Sequence, residues 1–301
     1  MKDFPRPIIV TSKCFEFEAC RYNGQMIPNN FVQKLEPFVE FRPVCPEMEI
    51  GLGTPRDPIK IVNSGEGRTL VQPATGRDLT GLMEKFAEGY LGSLGEADGF
   101  ILKSRSPSCA ISDAKEFPGM ENRMTNGKGP GLFAEKVLEK FPGAAIEDEG
   151  RLMNFRIREH FLTRIFTFAR FREAGTDGTA SALVSFHADN KYVLMTYNQN
   201  GMRELGRITA NMDRKDTALN FESYGEKLGA VMARAPRQTS VINTLMHALG
   251  YFKEALKPEE KAFFLDLLDD FRKRKIPLSA VTTALQSWII KYEVGYLARQ
   301  T

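Results

Sequence analysis

Soft metal ligands are scarce in this chain. Its 301 residues include four cysteines, three histidines and one tryptophan. Charge of one sign is also scarce: the formal net charge is +3, too small to argue for bulk binding to nucleic acid or to an anionic membrane. No uninterrupted apolar run approaches the roughly 18 residues that a membrane-spanning helix needs. Residues 1–10 hold a short apolar run but lack the long apolar region and small-residue cleavage site of a secretory signal. There is no internal repeat and no low-complexity segment. These absences predict a cytoplasmic protein, where disulfides are rare and clustered thiols more often bind metal or do chemistry.

What is present suits a folded chain of ordinary make-up. Hydrophobic residues are 42% and charged residues 26%, enough for sizeable cores. The length favours two domains or one large one. Residues 7–12 form a short β-branched run, and residues 39–44 alternate; both read as strands. Residues 30–38 read as a short helix, residues 59–62 and 69–71 as a hairpin, and residues 79–94 as a helix through Leu82, Phe86 and Tyr90. Gly99-Phe100-Ile101-Leu102 is a further buried strand, residues 133–141 a helix, and Gly143-Ala144-Ala145-Ile146 a last strand. Strands alternating with helices predict a Rossmann-like parallel α/β sheet. In such a sheet the ligand crevice lies beyond the carboxyl ends of the strands.

The second half changes character. Residues 156–171 read as an amphipathic helix, Glu173 to Thr179 as a Gly/Thr/Asp linker, and everything from Ala180 onwards as helical. Pro258 near a helix start, Glu259 and Glu260 in its first turn, and Arg272 to Lys275 at its end agree with the helix dipole. Its apolar positions are Phe263, Phe264, Leu267, Leu268 and Phe271. The expected organisation is an α/β domain over residues 1–172 and an all-α domain over residues 180–301, with a boundary near residue 175.

The cysteines fall in constrained local sequences. Cys14 follows Thr11-Ser12-Lys13, Cys45 sits in Pro43-Val44-Cys45-Pro46-Glu47, and Cys109 ends Ser104-Arg105-Ser106-Pro107-Ser108-Cys109. Each follows a predicted strand, so three positions far apart in sequence can meet at one end of the sheet. Three converging thiolates suit an iron–sulfur cluster with one iron open to chemistry. Cys20 leaves a second possibility: with four thiolates the site is closed, as in structural zinc or an electron-transfer cluster. An isolated cysteine is also commonly a buried free thiol.

Other residues near these motifs have chemical potential. Glu47, two positions from Cys45, can exchange protons beside a metal, or be only a helix-start acid. Pro107 fixes the backbone that presents Ser106 and Ser108, which suits hydrogen bonding to a substrate but equally an ordinary Ser-Pro turn. In Gly51-Leu52-Gly53-Thr54-Pro55-Arg56 the arginine can fork onto a carbonyl or phosphate. The amides of Asn126-Gly127-Lys128-Gly129-Pro130-Gly131, just before a helix, can bind an anion or form a plain loop. His160, His187 and His247 stand at no ligand spacing, and Trp288 reads as packing.

Taken together, Cys14, Arg21-Tyr22-Asn23-Gly24, Pro43-Val44-Cys45-Pro46-Glu47, Gly51-Leu52-Gly53-Thr54-Pro55-Arg56 and Ser106-Pro107-Ser108-Cys109 resemble the 2-thiouracil desulfurase family over roughly residues 5–170. Residues 180–301 resemble a helical domain of unknown function, through Phe186-His187-Ala188-Asp189-Asn190-Lys191, Arg203-Glu204-Leu205-Gly206-Arg207, Gly250-Tyr251-Phe252-Lys253 and Pro277-Leu278. The first resemblance implies a [4Fe-4S] cluster held by Cys14, Cys45 and Cys109. It implies a desulfidase in which the free iron takes the sulfur of a small thiolated base, 2-thiouracil for the family, while water adds to the carbon and no net redox change occurs. By motif, Glu47 is then the general acid/base and Ser106 holds or protonates the base, with Ser108 its rival and Arg56 a lesser candidate for substrate contact or support. This chain departs from the family pattern at Ala110, where glycine is usual, and at Phe15 and Phe17, where small residues are common. Thiolated RNA fragments are a possible alternative substrate, and no membrane partner is implied. A non-catalytic alternative is a metal-binding or RNA- or protein-interaction module, for which Arg203, Arg207, Arg214 and Lys215 would contact phosphates, although Glu204, Asp213 and Asp216 are interleaved with them.

Overall fold

A short buried β-branched run seeds the central sheet in this computed structural model, which describes residues 4–65, 67–210 and 216–301. That run is β1 (Ile8–Ser12), buried throughout. It lies between β2 (Glu40–Val44) and β6 (Gly99–Leu102), and β9 (Ala145–Asp148) adds at the far side, giving the order β2-β1-β6-β9 with every pair parallel. Both faces are covered, which is why the central strands β1 and β6 are buried throughout, whereas the outer strands β2 and β9 carry charged residues. Val10, Phe100 and Leu102 turn to one face with Met83, Ala87 and Leu91 of α3 (Thr80–Ser93) and Phe133, Ala134 and Val137 of α4 (Leu132–Lys140). Ile9 and Ile101 turn to the other with Val32 and Leu35 of α1 (Asn30–Leu35) and Phe161 and Ile165 of α5 (Phe155–Asp177). Gly99 is needed there: a Cβ on it would stand 2.8 Å from Ile165 and 2.9 Å from the Ala145 carbonyl oxygen.

The expectation of one parallel sheet is corrected in one respect. The predicted hairpin is present as β3 (Lys60–Asn63) and β4 (Arg68–Gln72), but it belongs to a second sheet. That sheet has the order β5-β4-β3-β7-β8, with β5 (Arg77–Asp78), β7 (Ala114–Phe117) and β8 (Gly127–Gly129). Only the β3–β7 pair in it is parallel. β5, β7 and β8 escape sequence reasoning because two, four and three residues carry too little periodicity, and β8 has only one side chain.

The chain divides into two compact units between Arg170 and Phe171, inside α5. The predicted linker at 173–179 is largely helix: α5 continues to Asp177, and Gly178, at φ +69°, stops it. Thr179 then caps α6 (Ala180–Tyr197), its hydroxyl accepting from the Ala182 amide at 3.1 Å. Phe171 is committed to the second unit by ring contacts with Phe186, Phe221 and Tyr224.

The second unit is helical, as expected. It contains α7 (Gln199–Thr209), α8 (Thr217–Val231), α9 (Gln238–Leu249), α10 (Pro258–Arg272), α11 (Leu278–Lys291) and α12 (Gly295–Arg299) among the described residues. Trp288 is a core residue against Phe252 and Phe264, in keeping with its reading as packing. Phe263, placed on the apolar face of α10 by its spacing, is instead 57% exposed, whereas Phe264 and Leu268 are buried. Of the basic residues considered for RNA, Arg203 and Arg207 lie on α7, where Glu204 pairs with Lys227; Arg214 and Lys215, with Asp213, lie outside the described residues. No described helix is long and apolar enough to cross a membrane.

Candidate active site at the carboxyl edge of the parallel sheet

The ends of β1, β2 and β6 are tied together by their first residues outside the sheet. The Lys13 amide donates to the Val44 carbonyl at 2.9 Å, and the Lys103 amide donates to the Ser12 hydroxyl oxygen at 2.9 Å. Cys14 follows two residues after β1. Cys45 follows β2 directly and caps the short helix α2 (Pro46–Glu49), where Pro46 at the first helical position fixes the turn. Cys109 comes seven residues after β6 and needs a loop to bring it back. All four cysteines are free and buried.

The Cys109 loop is built by three devices. The Ser106 hydroxyl oxygen accepts from the amides of Ser108 (3.2 Å) and Cys109 (3.1 Å), closing a serine turn around Pro107. The Ala110 amide donates to the Ser106 carbonyl at 3.1 Å. The start of α4 then clamps the loop from outside: the amides of Gly131, Leu132 and Ala134 donate to the carbonyls of Ala110 (2.7 Å), Pro107 (3.0 Å) and Ser108 (3.0 Å). The segment considered for anion binding therefore spends its amides on protein carbonyls, and residues 127–129 are strand β8. Ala110 raises no conflict in this arrangement. It is fully buried in the core and is not among the residues with positive φ.

Thiols, carboxylate and hydroxyls lie at this same edge. Cys14, Cys20 and Cys45 share one core cluster with Phe15, which is fully buried, and Phe17 packs edge-on against Phe41. Packing thus accounts for both phenylalanines. Burial pushes the Cys14 thiol up to about 12, with Cys45 adding to the effect. Burial also holds Cys109 well above the ordinary thiol range, and the neighbouring Cys45 and Glu47 charges push in the same direction. A hydrogen bond between Cys20 and Cys45 pulls Cys45 down, against its burial, and pushes Cys20 up. The Met48 amide at the start of α2 also favours the Cys45 thiolate. Among the described residues, no three His, Cys, Asp or Glu side chains gather around a point that would hold a single metal ion.

Glu47 is held from both sides. One oxygen, Oε2, takes the Arg56 guanidinium through Nε at 2.8 Å and through the second terminal nitrogen at 2.7 Å. The other, Oε1, accepts from the Ser108 hydroxyl at 3.1 Å. The Glu47 side chain is 13% exposed and that of Arg56 is 4% exposed, so this is a nearly buried ion pair. Arg56 is therefore committed to Glu47 rather than open to a substrate. The two serines also separate: Ser108 is fully buried and donates to Glu47, while Ser106 is half-buried and uses its oxygen for two amides, leaving its proton to give. An open groove of 560 Å³ lined by Glu49, Ile50, Gly51, Leu82, Phe86 and Tyr90 flanks α2, and neither Glu47, the serines nor the cysteines line it.

Two families of sequence match this chain. The 2-thiouracil desulfurase model matches residues 9–149, and a family described as a protein of unknown function, DUF1722, matches residues 191–301. YbbK, an uncharacterized protein of Bacillus subtilis, is 35% identical over 109 residues, which are 34% of this chain and 72% of YbbK. The chain belongs to the 2-thiouracil desulfurase family. YbgA, an uncharacterized protein of Escherichia coli, is 24% identical over 147 residues, covering 48% of this chain and 87% of YbgA. Among solved structures, a [4Fe-4S]-dependent thiouracil desulfidase, TudS, aligns with 24% identity and a TM-score of 0.38, over 49% of this chain and 94% of its own.

Some site residues escaped the sequence. Glu149, the first residue after β9, accepts from the Ser104 amide (2.8 Å) and the Ser104 hydroxyl (2.7 Å), and pairs with Lys103. Lys103 in turn favours the Cys14 thiolate electrostatically. The rule that sites lie beyond strand carboxyl ends, applied to the last strand as to the others, would have found Glu149. Gly131 had no such signal, because its role is contact with a loop 23 positions earlier.

Proposed function

We propose that the residues up to about 170 form a desulfidase that converts a small thiolated base, 2-thiouracil or a relative of it, to the oxo base and sulfide with no net redox change. The observation that carries this reading is a pinned, nearly buried carboxylate, Glu47, at the same sheet edge as three buried thiols that follow separate strands. Family membership supports it. The donor chemistry fits a [4Fe-4S] cluster: the ligands on offer are thiols, soft and shielded from water, and Cys14, Cys45 and Cys109 would hold it. When bound, such a cluster supplies a Lewis-acidic iron that polarises the carbon–sulfur bond.

The chain's own groups do the rest. Glu47 takes a proton from water as its oxygen adds to the thiocarbonyl carbon, and passes that proton to the departing sulfur. Ser106, with its oxygen already accepting two amides, donates its hydroxyl proton to the base and orients it. Ser108 holds Glu47. The bulk equation balances as thiocarbonyl plus water giving carbonyl plus hydrogen sulfide. The substrate is a free base, a nucleoside or a fragment of thiolated RNA.

Protein reconstituted with iron and sulfide without air, then given 2-thiouracil, is expected to release uracil and sulfide in equal amounts. A full cluster with neither product would end this reading. Cys20→Ser is expected to keep wild-type iron and acid-labile sulfide, whereas Cys109→Ser loses both. Zinc in place of iron, lost on removing Cys20, would favour a four-thiolate structural site. Ser106→Ala is expected to slow turnover per cluster more than Ser108→Ala; because the Ser106 oxygen also closes the Cys109 turn, iron is counted in each variant and single-turnover rates are compared per cluster, and a larger loss in Ser108→Ala would reverse the assignment.

A further inference from the structure

We propose that Arg56 is a positioning residue for Glu47, acting on the chemical step and touching neither the base nor the cluster. This rests on the desulfidase reading above. The guanidinium has five N–H donors in a rigid fork, and their use is nearly complete. Nε and one terminal nitrogen grip Glu47 Oε2 at 2.8 and 2.7 Å. The other terminal nitrogen donates to the carbonyls of Cys20 (3.0 Å) and Gly53 (2.8 Å). Four of the five N–H donors are thus spent within the protein, and only 4% of the side chain is exposed.

The fork is itself held in place. The Arg56 amide donates to the Tyr22 carbonyl at 2.8 Å, and the Thr54 hydroxyl donates to the Arg21 carbonyl at 2.7 Å. The loop carrying Arg56 is thus fastened to the loop that follows Cys14, while its guanidinium reaches α2, which follows Cys45. Arg56 sets where Glu47 stands relative to both strand ends. With Oε2 gripped by two donors and Oε1 accepting from Ser108, the carboxylate cannot rotate freely. The remaining lone-pair direction of Oε1 is the place for proton transfer. A group held this closely needs no reorganisation when the water arrives.

The test is a double-mutant cycle on protein loaded without air, with iron and acid-labile sulfide counted for each variant. Arg56→Gln is expected to keep the cluster and the KM for 2-thiouracil while kcat falls by about 10²-fold, the scale of a misplaced catalytic group. Arg56→Lys keeps a charge without the fork and is expected to fall less. On a Glu47→Gln background, Arg56→Gln is expected to cause no further loss. In cluster-free protein, the infrared carboxylate band that Glu47→Gln removes is expected to shift in Arg56→Gln.

Several results would overturn the proposal: an undiminished kcat in both Arg56 variants, a loss confined to KM, an unmoved carboxylate band, or the same fold-loss on the Glu47→Gln background. Loss of the cluster in both Arg56 variants would make the residue structural and would also overturn it. Wild-type protein with a full cluster and no sulfide release is a separate outcome: it sinks the desulfidase reading, and this proposal with it.

Discussion

Glu47→Gln is expected to lower sulfide release from 2-thiouracil by about 10²- to 10⁴-fold, the usual contribution of a general acid/base. Iron and acid-labile sulfide should stay at wild-type levels, since Glu47 is not among the thiols that would hold the cluster. Gln keeps the shape of the side chain and an oxygen to accept from Ser108, but it turns an amide NH2 toward the Arg56 donors and removes their counter-charge, so some stability is lost along with proton transfer. Glu47→Ala should lose as much turnover and more stability, because it also removes the oxygen that accepts from Ser108. It leaves the Arg56 guanidinium, 4% exposed, without its counter-charge, and breaking a buried pair costs about 3–5 kcal/mol. Steady-state kinetics and a thermal melt on the two variants separate the effects. Undiminished turnover in Glu47→Gln would remove the residue from the chemistry.

Gly131→Ala is expected to lower the iron that reconstituted protein retains although Gly131 carries no thiol. A Cβ there would stand 2.4 Å from the Ser108 carbonyl carbon, 2.6 Å from its oxygen and 2.8 Å from the Cys109 nitrogen. These are backbone atoms, so no rotamer change can make room. Either the start of α4 moves out, losing its amide bonds to the carbonyls of Pro107, Ser108 and Ala110, or the Cys109 loop moves in. Overpacking of this kind costs about 1–3 kcal/mol, which lowers Tm by roughly 2–12 °C in a unit of this size. Gly127→Ala is the control, since its nearest atom would be Glu116 Oε2 at 3.5 Å. Iron per chain and Tm decide the matter; wild-type iron in Gly131→Ala would show that the loop does not depend on this contact.

The strands that build the site were legible for local reasons: β1 is a short β-branched run, β2 alternates, and β6 is a short apolar run ended by Lys103. β1, β2 and β6 lie within one or two residues of their expected places. Helix α3 announced itself by spacing, and α10 by spacing and end charges. The edge strands of the second sheet did not, because β5 and β8 exist only by pairing with neighbours. The stretch after residue 172 read as linker from its Gly and Thr content, yet helix continued through it, since local propensity is a weak prior against packing such as that of Phe171 on Tyr224.

For the site, the sequence by itself determined which groups are available: four thiols, Glu47, Arg56 and two serines, in motifs that bind them to strand ends. For Cys14 and Cys45 that much is covalent, since a residue one or two positions beyond a strand must lie at its end; Cys109, seven residues past β6, is brought back only by its loop. Only the tertiary structure decided who holds whom. Arg56 grips Glu47, Ser108 faces inward while Ser106 keeps a proton to give, and Gly131 presses on Cys109. Those pairings join loops 9 to 61 positions apart. No local pattern encodes them, because their partners are chosen by how the sheet and helices bring distant backbone together.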